Sequence, residues 1–207
     1  VVVPPGGEHL LHGGLSTINS ERFREKKIIY AGLVNKREHV DLFVESIPKI
    51  QEKSKNTHFV ISQQGEEIQN IQKLCTTLSL KPFFYWNDSR EEARNFFKTC
   101  YLGILPSNDN ISRKLGTPLK LLEYMSLGLP VVANDVGSWC KEIQENHLGL
   151  LCSNDPADMA EKILTFVEDQ TFYEKIQKNI LNSIENRFNW NVILKEKLVP
   201  FYNKIYS

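Results

Sequence analysis

The sequence predicts an α/β domain built on a doubly wound parallel sheet. Three observations carry that prediction. Short β-branched or aromatic runs alternate with segments of helical period. The runs are nearly continuous in apolar character, as strands covered on both faces are. The helical segments between them supply the crossovers that parallel strands require.

The predicted strands are residues 26–32 (KKIIYAG), 58–62 (HFVIS), 82–86 (PFFYW), 101–106 (YLGILP), 130–133 (PVVA) and 149–152 (GLLC). Among the helices, residues 39–53 place Val40, Phe43, Val44, Ile47 and Ile50 on one face, and Pro48 inside that segment predicts a kink or an early end. Residues 66–78 follow Gly65. Residues 90–98 follow Ser89, an N-cap with Glu92 in a capping-box pattern. Asp155 and Pro156 open a helix through residues 157–168, an N-cap followed by proline at the first helical position. Residues 172–186 and 190–206 close the chain; in the last, Trp190, Ile193, Leu194, Leu198, Phe201, Tyr202 and Ile205 make a broad apolar surface interrupted by Pro200. A closing helix this apolar needs another surface to cover it.

Residues 1–25 contain Pro4-Pro5-Gly6-Gly7 and Gly13-Gly14 with little periodicity, and read as a short strand feeding a linker. The chain thus divides into an entry segment (1–25), a sheet domain (26–188) and a terminal helix (189–207).

Composition narrows the function. The 207 residues carry Lys+Arg 25 against Asp+Glu 25, interspersed, which argues against a nucleic-acid partner. With 41% hydrophobic and 24% charged residues the chain is an ordinary packed protein. No run approaches the roughly 20 apolar residues of a membrane span. Cys75, Cys100, Cys140 and Cys152 form no tight cluster and read as buried free thiols of a reducing compartment.

The chemistry concentrates in residues 115–137 (LGTPLKLLEYMSLGLPVVANDVG). Thr117 can cap a helix whose first position is Pro118 and which stops at Gly128. At about 100° per residue, Leu121, Leu122 and Met125 form one stripe, while Lys120 and Glu123 lie within about 60° of each other on a different face. A helix start preceded by Gly116 presents bare N–H groups and the positive dipole end to an anion such as phosphate. Lys120 adds a cation there, and Glu123 can accept hydrogen bonds from vicinal hydroxyls such as those of a ribose. The competing reading makes Lys120 and Glu123 an i,i+3 surface pair. The helix links two central strands, and ligands of open α/β sheets bind beyond the strands' carboxyl ends, which favours a site.

PLKLLEYMSLGLPVVANDVG resembles the donor-binding signature of retaining GT-B glycosyltransferases, family 4 in particular. Other pieces follow the family's order: VVVPPGG at residues 1–7, IIYAG at 28–32, YLGILPS at 101–107, GLLCSNDPADMAEKI at 149–163, and Phe188-Asn189-Trp190 at the last helix. The resemblance covers essentially the whole chain. It implies that Glu123 holds the nucleotide ribose, that the backbone of Gly116, Thr117, Pro118 and Leu119 contacts the diphosphate or donor sugar, and that the loop after the third strand, with Trp86 and Asn87, lies against the base. It also departs from the family. Leu115 stands where an upstream glutamate is usual, and the family's Gly-Arg…Lys pair aligns with Gly32-Leu33 and Glu38. Lys36, Arg37 and Lys120 are the substitutes for neutralising a diphosphate.

The implied protein is the C-terminal, donor-binding half of an enzyme that moves a sugar from a nucleoside diphosphate to an acceptor hydroxyl with retention. It needs no metal or other cofactor and is inactive without an N-terminal acceptor domain, against which the last helix packs. A cytoplasmic location, with peripheral membrane association, follows from the same family. Competing readings are a non-catalytic binding module on this fold, favoured by Leu33, Glu38 and Leu115, and a sugar-nucleotide epimerase. Trp86 is either a base-stacking residue or a strand-end aromatic packing inward; Trp139 reads as packing and Glu142 as a solvated charge. His9 and His12 lack partners for a metal shell, and Asn108-Asp109-Asn110 holds one carboxylate where an Asp-x-Asp motif needs two.

Overall fold

The computed structural model describes residues 15–85, 89–109, 116 and 118–206. Six parallel strands form one sheet: β1 (Lys27–Tyr30), β2 (His58–Ser62), β3 (Phe83–Tyr85), β4 (Leu102–Leu105), β5 (Val131–Asn134) and β6 (Gly149–Cys152), in the order β3-β2-β1-β4-β5-β6. That order is doubly wound, with its reversal between β1 and β4. Every residue of β4 and β5 is buried, which accounts for their unbroken apolar runs.

The first helix, α1 (Leu15–Glu25), corrects the reading of residues 15–25 as linker. Its key residue is polar, so a search for apolar periodicity passes over it. Arg22 is 0% exposed. Its guanidinium donates to the carbonyls of Lys98 (2.9 Å) and Leu127 (2.7 Å). Phe23 sets its ring edge-on to Tyr101 and Tyr173, at 5.6 and 5.1 Å. The strand expected over residues 1–7, with His9 and His12, lies outside the described residues.

Helix α2 (Val40–Lys53) continues past Pro48, so the helix does not end early there. Burial of Val40, Phe43, Val44, Ile47 and Ile50 on both sides of the proline holds the helix together despite the lost bond. Helices α3 (Ile68–Thr77) and α4 (Arg90–Lys98) follow, and Ser89 caps α4 by accepting from the Glu92 N–H at 3.1 Å.

Helix α5 (Leu119–Ser126) starts one residue later than expected. Pro118 is extended (φ −67, ψ 131) and occupies the cap position, its carbonyl accepting from the Leu121 N–H at 3.0 Å. At the other end Gly128 has φ +60, and the N–H groups of Gly128 and Leu129 reach the carbonyls of Met125 and Tyr124, each at 2.9 Å. This is a Schellman stop, and it requires glycine.

The chain continues through α6 (Trp139–Glu145), α7 (Pro156–Glu168) and α8 (Gln170–Asn186). Asp155 caps α7 through the Ala157 N–H at 2.9 Å, with Pro156 at the first position. The last segment is not one helix. A short α9 (Trp190–Ile193) passes into a π-helical stretch, Leu194–Leu198, and then α10 (Val199–Tyr206). The widened turn comes just before Pro200, whose missing N–H breaks the regular ladder. Trp190, Leu194, Phe201, Tyr202 and Ile205 are exposed on this segment, and Ile193 is buried. All four cysteines are buried free thiols.

Candidate donor cleft

Strands β1 and β4 pair at Ile28↔Leu102 and Ile29↔Gly103 and then part. Tyr124 of α5 fills the space where they diverge. A side chain on Gly103 would meet the Tyr124 ring at 2.5 Å, so the strand glycine is there to admit an aromatic. The buried Tyr124 hydroxyl accepts from the Ala31 N–H at 2.8 Å and faces the Ile29 carbonyl at 3.3 Å. Burial raises the pKa of this phenol far above its ordinary value, so it stays neutral and keeps both bonds.

A cleft of about 270 Å³ opens beyond the carboxyl ends of β1, β2 and β3, lined by Gly32, Ser62, Gln64, Tyr85, Lys120 and Glu123 among others. Tyr85 stacks on Phe96 at 4.2 Å and 7°, so α4 fixes that wall. Lys120 reaches in from the first turn of α5. Its ammonium forms an ion pair with Glu38, donates to the Tyr30 hydroxyl at 3.1 Å and lies 4.5 Å from the centre of the Tyr30 ring. Tyr30 in turn donates to the Leu33 carbonyl at 2.7 Å. Gly32 has φ +147, and a Cβ there would sit 2.9 Å from the Lys120 Nζ. Only glycine gives both that backbone and that approach.

Of the residues singled out in the sequence, the cleft brings together Gly32, Lys120 and Glu123. Glu123 is exposed within it. Gly116 and Leu119 are exposed and Pro118 half-buried at the start of α5, and the Ser138 hydroxyl donates to the Gly116 carbonyl at 3.1 Å. Lys36 and Arg37 are exposed on the loop after β1 and are not among the residues lining the cleft. That loop is tied down by its backbone: Asn108 donates through its N–H to the Arg37 carbonyl at 3.0 Å and through its side chain to the Lys36 carbonyl. Trp86, Asn87, Leu115 and Thr117 lie outside the described residues. Trp139 is buried, as the packing reading has it, and Glu142 is ion-paired to Arg187 at 3.0 Å.

Three contributors were missed. Glu38 was read only as a lost cation, yet it is the partner of Lys120. Tyr124 was signalled by the glycine inside the fourth apolar run. Asn134, fully buried at the end of β5, clamps the exit of β4: it accepts from the Ser107 N–H at 2.8 Å and donates to the Ser107 carbonyl at 2.6 Å. Its signal was one polar residue closing an apolar strand. Among the described residues no group of three or more His, Cys, Asp or Glu gathers as a metal site.

The strand order reverses between β1 and β4, and a glycine, a lysine and a glutamate converge on a cleft beyond the strands' carboxyl ends, where open α/β sheets bind their ligands. The sequence matches the family described as glycosyl transferases group 1 over residues 17–183. The chain belongs to this family. Among curated relatives, N-acetyl-alpha-D-glucosaminyl L-malate synthase of Bacillus anthracis is 23% identical over 88% of this chain and 45% of its own length. The chain thus spans less than half of that relative. Two solved structures share the fold. HepE of Anabaena, in complex with UDP and glucose, superposes with a TM-score of 0.74 at 15% identity, over 92% of this chain and 53% of its own. The C-terminal domain of a group 1 glycosyl transferase of Francisella tularensis gives 0.68 at 17% identity, over 91% of this chain and 97% of its own. No helix among the described residues is long and apolar enough to cross a membrane.

Proposed function

We propose that this chain is the C-terminal, nucleotide-sugar-binding half of a retaining GT-B glycosyltransferase of family 4 type, acting in glycan, glycolipid or polysaccharide synthesis. The observation that carries the proposal is the convergence of Gly32, Lys120 and Glu123 on one cleft at the strand-order reversal. The Francisella domain, almost all of which this chain covers, supports the assignment to a C-terminal half, and the UDP and glucose of the Anabaena protein support the ligand class. Glu123 accepts hydrogen bonds from the ribose diol. Gly32 lets the diphosphate approach the backbone, and the open N–H groups at the start of α5 point at it. In the reaction the bond between the anomeric carbon and the diphosphate oxygen breaks while one to the acceptor oxygen forms. Negative charge grows on the departing diphosphate, so the helix amides stabilise the transition state more than the bound donor, while Lys120, already shared with Glu38, positions the diphosphate. Lys36 and Arg37 add cations at the lip. No metal is needed for this division of labour. The acceptor is held by an N-terminal domain that covers the apolar surface of residues 190–205, and the enzyme works at the cytoplasmic face of a membrane.

Calorimetric titration with UDP, GDP and ADP tests the reading. Saturable binding of one nucleotide, weakened at least about tenfold by Glu123→Ala, is the expected result; ten times in affinity is about 1.4 kcal/mol, an ordinary value for a lost hydrogen-bond pair. Absence of binding at millimolar nucleotide would favour a non-catalytic module, a reading to which Leu33 and Glu38, in place of two cations, lend support.

A further inference from the structure

Glu38 is the wrong charge beside a lysine that meets a diphosphate, and the donor reading gives it no task. It is nonetheless built in. The residue is 9% exposed, and its side chain and that of Lys120 are only 11% and 15% exposed. Its N–H donates to the Asn35 carbonyl at 3.0 Å, fixing the turn from which it reaches over. The ammonium it meets also donates to the Tyr30 hydroxyl at 3.1 Å and lies 4.5 Å from the centre of that ring. Charges withdrawn from water in this way persist only where each keeps a close partner.

We infer that Glu38 is a specificity-determining residue: by neutralising Lys120 it makes the cleft favour a nucleoside diphosphate still esterified to its sugar over the free nucleoside diphosphate. The inference rests on the donor reading above. An esterified diphosphate carries two negative charges near neutral pH. The free one carries close to three, because a terminal phosphate loses its second proton at a pKa of about 6. An uncompensated lysine would reward that third charge strongly at short range and low effective dielectric. A lysine already shared with a carboxylate rewards it little, and the carboxylate itself repels it. Since transfer converts the first species into the second, the same discrimination drives the spent nucleotide out.

The test compares dissociation constants for UDP and UDP-glucose, GDP and GDP-mannose, and ADP and ADP-glucose, on the unaltered protein and on Glu38→Gln. The variant is expected to bind the free diphosphate about tenfold more tightly and the sugar ester about threefold or less, and to show a steeper salt dependence for the free diphosphate. Equal effects on both ligands, or weaker binding of both, would overturn the inference while leaving the donor reading intact. Failure of the unaltered protein to bind any of the six ligands would instead overturn the donor reading, and the inference with it. If Glu38→Gln does not fold because Lys120 is left alone, the double variant Glu38→Gln/Lys120→Gln removes both charges. It should weaken both ligands yet keep the wild-type ratio of the two constants, and a shifted ratio would sink the idea.

Discussion

Tyr124 does at the scale of one side chain what the strand order does for the sheet. Its ring occupies the volume that Gly103 vacates, and its hydroxyl supplies to the Ala31 N–H the acceptor that β4 no longer provides once the two strands separate. Tyr124→Phe leaves that buried N–H without an acceptor, so urea unfolding should show a loss of about 1–3 kcal/mol. Nucleotide affinity should fall as well, because Ala31 leads directly into Gly32. Gly32→Ala is expected to be folded and to bind nucleotide at least about tenfold more weakly, since the new methyl competes with the Lys120 ammonium in a backbone region that L-residues avoid. The Lys120 pairing itself was not readable from the sequence. Lys120 and Glu38 lie on different elements and meet only after β1, its following loop and α5 are assembled around the switch point.

At the scale of elements, the sheet and most helix boundaries were legible, because buried parallel strands leave continuous apolar runs and caps leave their own residues. Ser89 and Asp155 cap α4 and α7 as read, and Gly128 stops α5 as read. Gly128→Ala should therefore cost about 1–2 kcal/mol in thermal or denaturant unfolding, the strain of a left-handed Cβ. Helix α1 was illegible for the opposite reason: it is anchored by a cation. Arg22 gives its guanidinium to carbonyls at the ends of α4 and α5, where helix dipoles present negative charge. Arg22→Met keeps the apolar stem but strands those carbonyls, and should destabilise the protein by about 3 kcal/mol in denaturant titration. Pro48 shows the limit of local rules, since packing on both sides overrides a residue that breaks isolated helices.

For the whole molecule, one continuous core runs from Ile28 to Phe188, and it sets the pH range in which the fold survives. Burial pushes the Cys100 thiol from 9.0 up to about 12, and does the same to Cys152. A neutral thiol held protonated in the folded state stabilises it fully below the unfolded pKa and loses that contribution as pH rises through the folded one. The Tm is thus expected to decline between pH 9 and about 12. At pH 8 a thiol reagent such as DTNB should react with the native protein far more slowly than with the urea-unfolded chain, in which all four cysteines are titrated.

The anchoring of Arg22 bears on where this fold can be cut. The Gly128 carbonyl, 3.5 Å from the Arg22 guanidinium, is also reached by Gln177 at 3.1 Å, and Gln177 is bonded to Asn19 at 2.9 Å. Residues ahead of the first strand therefore moor the rear of the helix whose front carries Lys120 and Glu123. A chain trimmed to begin at Lys26 would retain every strand and every cleft residue, yet its cleft-lining helix would be fastened at one end only, and the cleft would blur before the sheet itself gave way.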